Sequence, residues 1–76
     1  MTYKELLEET KGMRLSSYRF YLGERSNWTE SVSLYRDGDE WVMQTIDERQ
    51  QTWCMRGPEE KMCELMYITI MTRIKR

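Results

Sequence analysis

The sequence predicts an α+β fold: a short N-terminal helix, an antiparallel sheet of three or four strands, and a C-terminal helix packed on one sheet face. Three observations carry the prediction. Apolar residues recur at helical spacing near both ends of the chain, and they alternate with a period of two between. Asp37-Gly38 interrupts that alternation with the dipeptide best suited to a tight hairpin turn. The chain has 76 residues, enough for a single domain spanning 1–76.

The first helix is read over residues 2–11. Thr2 and Glu5 have the spacing of a capping box, in which each side chain satisfies an amide at the helix start. Tyr3, Leu6, Leu7 and Thr10 fall on one helical face, and Gly12 is placed to end the helix in a left-handed conformation. Residues 15–22 then alternate as a strand. Tyr18, Phe20 and Leu22 lie on one face, with Ser17, Arg19 and Tyr21 on the other.

After a polar break at 23–27, a second strand is read from about Trp28 to Arg36, with Val32 and Leu34 on its apolar face. A third runs over 40–46. A two-residue turn at Asp37-Gly38 sets Leu34 opposite Trp41 and Val32 opposite Met43, and a bulged turn shifted by one residue is the alternative. Residues 47–51 form a polar connection, and Thr52 to Arg56 is either a short fourth strand or an extended loop.

Gly57-Pro58-Glu59-Glu60 marks the start of the last helix. Proline suits the first helical position, and the glutamates sit at the positive end of the helix dipole. Arg73, Lys75 and Arg76 complement the negative end. Met62, Cys63, Met66, Ile70 and Ile74 make the inward stripe. The run Tyr67-Ile68-Thr69-Ile70 is rich in β-formers, so an extended alternative stands beside the helix. Leu65, Ile68 and Met71 form a second apolar stripe. It needs cover from the first helix, from another protein, or from a second copy of the chain, which leaves monomer and homodimer both open.

Composition narrows the function classes. Twelve basic residues against thirteen acidic ones leave a net charge of −1, so no bulk attraction to nucleic acid is expected. No stretch approaches the about 18 apolar residues of a membrane span, and Met1 to Glu5 does not read as the start of a signal peptide. A cytoplasmic protein is expected, with Cys54 and Cys63 as two buried thiols rather than a disulfide. Histidine is absent, which removes the commonest general base and the commonest metal ligand. Phosphate-cradling glycine loops and nucleophile elbows are missing, and Ser16, Ser17, Ser26, Ser31 and Ser33 have no imidazole to activate them. A reactive thiol would need a nearby cation, for which Arg56 is the sole close candidate. Asp37, Asp39 and Glu40 lack the full alternating oxygen set of a calcium loop. The expectation is therefore a non-enzyme with no catalytic, cofactor-binding or metal residues.

What remains is surface. Arg19 and Tyr21 on the first strand and Tyr35 on the second share the face away from the expected core, and Trp28 edges a polar loop. Tyrosine, tryptophan and arginine dominate binding hot spots because they bury much area for few rotatable bonds. Asp37 and Asp39 at the hairpin tip would steer a basic partner. Arg19, Tyr21, Trp28, Tyr35, Asp37 and Asp39 are thus the expected partner-binding residues. The alternative for Trp28, as for Trp53, is that it plugs an end of the core.

The stretch Val32-Ser33-Leu34 through Asp37-Gly38, Trp41-Val42, Glu48-Arg49 and Pro58-Glu59-Glu60-Lys61-Met62-Cys63 resembles the strand–turn–strand–helix core of an immunity-protein family from bacterial polymorphic toxin systems. The helix–strands–helix order over so short a chain is also similar to that of some anti-CRISPR proteins. The resemblance covers roughly residues 32–66 and rests on hydrophobic pattern and one turn. It implies a protein that binds and blocks another protein, a toxin or a defence nuclease, without chemistry of its own.

Overall fold

A capping box opens the first helix. In the computed structural model, which describes residues 1–74, the Thr2 hydroxyl accepts from the Glu5 amide at 3.2 Å and the Thr2 amide donates to Glu5 Oε1 at 2.8 Å. Helix α1 (Tyr3–Glu9) buries Leu6 completely, and Thr10, its C-cap, donates its hydroxyl to the Leu6 carbonyl at 2.8 Å. Gly12 follows with φ +87°, the left-handed geometry expected of it. Leu7 stays exposed because so short a helix buries only a narrow stripe.

The sheet has the order β1 (Phe20–Leu22), β2 (Ser31–Asp37), β3 (Glu40–Ile46), β4 (Thr52–Gly57). It is mostly antiparallel but mixed: β1 lies parallel to β2, pairing Phe20 with Val32 and Leu22 with Leu34. The expected strand over 15–22 is correspondingly shortened. Leu15–Tyr18 forms a 3₁₀ turn, and Arg19 ends it at φ +60°. That left-handed residue breaks the extended run, so Tyr18 points to solvent instead of joining Phe20 and Leu22. The short connection 23–30 then returns the chain to the starting end of β1, so β2 runs in the same direction.

Strand β2 begins later than expected, at Ser31. Glu30 has φ +55°, and the Ser31 hydroxyl donates to the Trp28 carbonyl, which curls residues 28–31 into a turn. The β2–β3 hairpin turns at Gly38-Asp39, with Asp37 paired to Glu40, Leu34 to Met43 and Val32 to Thr45. Neither the expected pairing of Leu34 with Trp41 nor the one-residue alternative forms. Gly38, at φ +64°, is the first central residue of the turn, and Asp37 stays in the ladder, where Arg56 holds its carboxylate at 2.9 Å. The displacement is two residues, so every side chain keeps its expected face. Residues 47–51 close the next hairpin: Asp47 Oδ1 accepts from the amides of Arg49 and Gln51, and Gln50 takes φ +66°. β4 is a full strand paired with β3 along its whole length.

Helix α2 (Glu59–Ile74) absorbs the run 67–70 that alone favours extension. Burying Met66 and Ile70, at roughly 1.5–3 kcal/mol for each such side chain, outweighs a local β preference of at most about 1 kcal/mol. Pro58 precedes the first helical residue and its carbonyl accepts from the Met62 amide at 3.0 Å, so it caps the helix rather than starting it. Arg73 lies in the last turn, while Lys75 and Arg76 fall outside the described residues.

The core lies between the two helices and one sheet face. Leu6 from α1 and Met62, Cys63, Met66 and Ile70 from α2 pack on Phe20, Val32, Leu34 and Met43. Tyr3 stacks on Trp41 with ring centroids 4.8 Å apart, and its amide donates to Glu59 Oε2 at 2.8 Å, joining the two helix starts. The other sheet face carries Ser31, Ser33, Val42, Gln44 and Ile46, all buried. Connection 23–30 lies on that face: the Ser26 amide donates to Ser33 Oγ at 3.4 Å, and Gln44 Nε2 donates to the Ser26 carbonyl at 3.0 Å. Among the described residues, no helix is long and apolar enough to cross a membrane.

Candidate protein-binding surface

The six expected partner-binding residues fall into separate groups along β2 and its turn. The first is Arg19 with Trp28. Arg19 donates from Nη1 to the Thr29 carbonyl at 2.7 Å, and its guanidinium lies 5.8 Å from the centre of the Trp28 ring. Trp28 is held on both sides of its Cα: its amide donates to Ser26 Oγ at 3.0 Å and its carbonyl accepts from Ser31 Oγ. Its indole is nevertheless 62% exposed, so it does not plug the core. Two backbone anchors leave the segment that presents the ring with less entropy to lose on binding, and the Arg19 cation lies over the ring.

The second runs along β1 and β2 on the loop-covered face toward the β2–β3 turn. Tyr21 pairs with Ser33 across β1 and β2, which makes Tyr35 its diagonal neighbour on the same face, and Asp37 follows two residues further on. Both tyrosines are half-buried. Asp37 is engaged by Arg56, which also lies 3.8 Å from Glu40, so the tip is less acidic than its sequence suggests. Asp39 sits in the turn and lines an open cleft with Tyr3, Arg36, Trp41 and Glu59 on the helix side. Val32, beside Arg19, and Asp37 stand at the two ends of β2, roughly 17 Å apart at about 3.3 Å per residue.

Leu65, Ile68 and Met71 lie on the outer side of α2. Ile68 is at the crest of α2, opposite the buried Met62, Cys63, Met66 and Ile70, and is 53% exposed. Leu65 and Met71 are the half-buried shoulders on either side, and Leu65 packs against the core. The larger apolar surface is on β4, which sequence reasoning left undecided between strand and loop. Trp53 and Met55 pair with Thr45 and Met43 and therefore point to the helix side, yet they are 53% and 51% exposed. The signal for them was present in the strand alternation of 52–56, which carries no information on whether a helix covers its apolar side.

The two cysteines part company. Cys63 is buried in the core, and burial together with the nearby Glu59 carboxylate pushes its thiol up to about 11. Burial also raises the Tyr3 hydroxyl above its ordinary value. Cys54, expected to be buried as well, is exposed on β4, where its thiol donates to Gln44 Oε1 at 3.8 Å. An edge strand exposes both its faces unless something packs beyond it. Among the described residues, no three Cys, Asp or Glu side chains converge on a position that could hold a metal ion. Comparison with protein-family models, curated proteins and solved structures finds no match.

Proposed function

We propose that this chain acts by binding and blocking another protein, without chemistry of its own, as an immunity protein that neutralises a bacterial toxin. The observation that supports this reading most is Trp28, an exposed indole with the Arg19 guanidinium over its ring, carried on a backbone that Ser26 and Ser31 hold by hydrogen bonds. Large aromatic groups presented on an anchored backbone are residues on which binding energy concentrates. A second reading, inhibition of a phage-targeting nuclease, draws on the acidic residues at the hairpin, where Asp37, Asp39 and Glu40 are set against Arg36 and Arg56. Such a tip suits a basic partner. In both readings the chain stays in the cytoplasm and the partner is a protein.

Capture of the partner from host lysate, identified by mass spectrometry, tests the proposal. Trp28→Ala should weaken capture about tenfold or more while leaving the melting temperature within a few degrees of wild type. Undiminished capture by that variant removes the binding surface from the argument. A toxin or a nuclease as the captured protein decides between the two readings.

A further inference from the structure

The exposed strand β4 offers more than apolar area. Its outward hydrogen-bonding groups have a definite phase. Asp47 donates its amide to the Gln51 carbonyl at 3.0 Å, so 47 and 51 form a hydrogen-bonded pair of the β3–β4 ladder. Antiparallel pairs alternate, which directs the amides and carbonyls of Trp53, Met55 and Gly57 toward β3. Those of Thr52, Cys54 and Arg56 therefore point away from the sheet, spaced symmetrically about Cys54. We propose that β4 pairs with β4 of a second copy, antiparallel and related by a two-fold axis through Cys54, which joins the two sheets into one.

The occupant follows from the strand's complementarity to itself. In that register Cys54 meets its own copy in a hydrogen-bonded pair, and Thr52 and Arg56 of opposite chains make the flanking hydrogen-bonded pairs. Trp53 and Met55 of opposite chains become directly opposed in the closer, non-hydrogen-bonded pairs. Each thus covers the other on the helix side, as an aromatic ring and a thioether sulfur do favourably. No like charges face each other. Arg56 opposes a threonine, and its own charge is already engaged by Asp37 and Glu40 of its chain. Of the devices that keep edges apart, Thr52–Gly57 carries only the charge of Arg56; it contains neither lysine nor proline, and its register with β3 runs without a bulge. The opposite edge, β1, is only three residues long.

Charge reversal at the symmetry axis provides the test. The Cys54 side chain is exposed and its hydrogen bond to Gln44 is long, so Cys54→Lys and Cys54→Glu should both fold, as circular dichroism will show. Sedimentation equilibrium up to about 1 mM should find a wild-type dimer. Cys54→Lys alone should weaken it about fivefold, because the axis sets the new charge against itself, and an equimolar mixture of the two variants should restore it. A wild-type monomer throughout that range overturns the proposal. So does a dimer indifferent to Cys54→Lys, or a mixture that fails to recover; a dimer lost instead on Ile68→Lys places the contact on the crest of α2.

Discussion

The two faces of the sheet are built on different chemistry. On the helix side, Phe20, Val32, Leu34 and Met43 meet Leu6, Met62, Cys63, Met66 and Ile70, and the buried Thr10 of α1 spends its hydroxyl on the Leu6 carbonyl of its own helix. On the loop side, Ser31, Ser33 and Gln44 are equally buried, with Val42 and Ile46 as the apolar members, and the cover is the connection 23–30. The difference teaches how a loop can stand in for a helix. A helix satisfies its own backbone and can present a purely apolar stripe, whereas a loop laid on a sheet brings unpaired amides and carbonyls that must find partners. Ser33 and Gln44 are those partners, one accepting from the Ser26 amide and the other donating to its carbonyl.

Breaking the helix side should have the largest effect. Leu34→Ala removes a fully buried side chain at the centre of the core and should cost about 2–5 kcal/mol. A domain of this size has a margin of roughly 3–5 kcal/mol, so thermal melting should show a drop of at least about 10 °C or no folded baseline at all. A shift of only a degree or two would mean that the apolar face is not the main source of stability.

The loop side should respond less, and locally. Gln44→Ala leaves the Ser26 carbonyl without its donor and should cost about 1–3 kcal/mol in a denaturant titration. Hydrogen exchange should speed up at the amides of 23–30 while those of α2 keep their ranking. Uniform loss of protection through both layers would show that the two faces are one cooperative unit and erase the distinction.

The smallest effect separates the faces by pH. The Cys63 thiol, pushed up to about 11, stays protonated in the folded core while the unfolded chain ionises near the ordinary value of 9.0. Its contribution is fully present below pH 9.0 and is lost as pH rises toward about 11. Wild-type stability should therefore decline more steeply over that window than that of Cys63→Ala, which starts lower but has no thiol there to ionise. Parallel curves for the two proteins would remove the thiol as the cause.

Features legible in the sequence are those set within a few residues. The capping box of Thr2 and Glu5, the left-handed Gly12, the glycine at the hairpin, the start of α2 and its inward stripe all depend on local dihedral preferences and on spacing along one element. The candidate binding residues were legible as residue types, and the faces of Tyr35 and Asp37 survived because a slip of two preserves the period of a strand. Their grouping was not. Arg19 left the strand it was read into, since an alternating pattern in 15–22 is equally compatible with a 3₁₀ turn followed by three extended residues.

Sequence alone thus determined the class of fold, the capping box that starts its first helix, the glutamates that open its second, and most of the residues that face the helix-covered core. The direction of β1, the exact pairing of β2 with β3, the burial of the serines and the exposure of Trp53, Met55 and Cys54 were decided only in three dimensions. Each depends on what a distant segment does: where connection 23–30 returns the chain, how Arg56 holds Asp37 in the ladder, and how far α2 reaches across the sheet. Periodicity reports which side of an element is apolar, but the partner on that side is supplied by the rest of the chain.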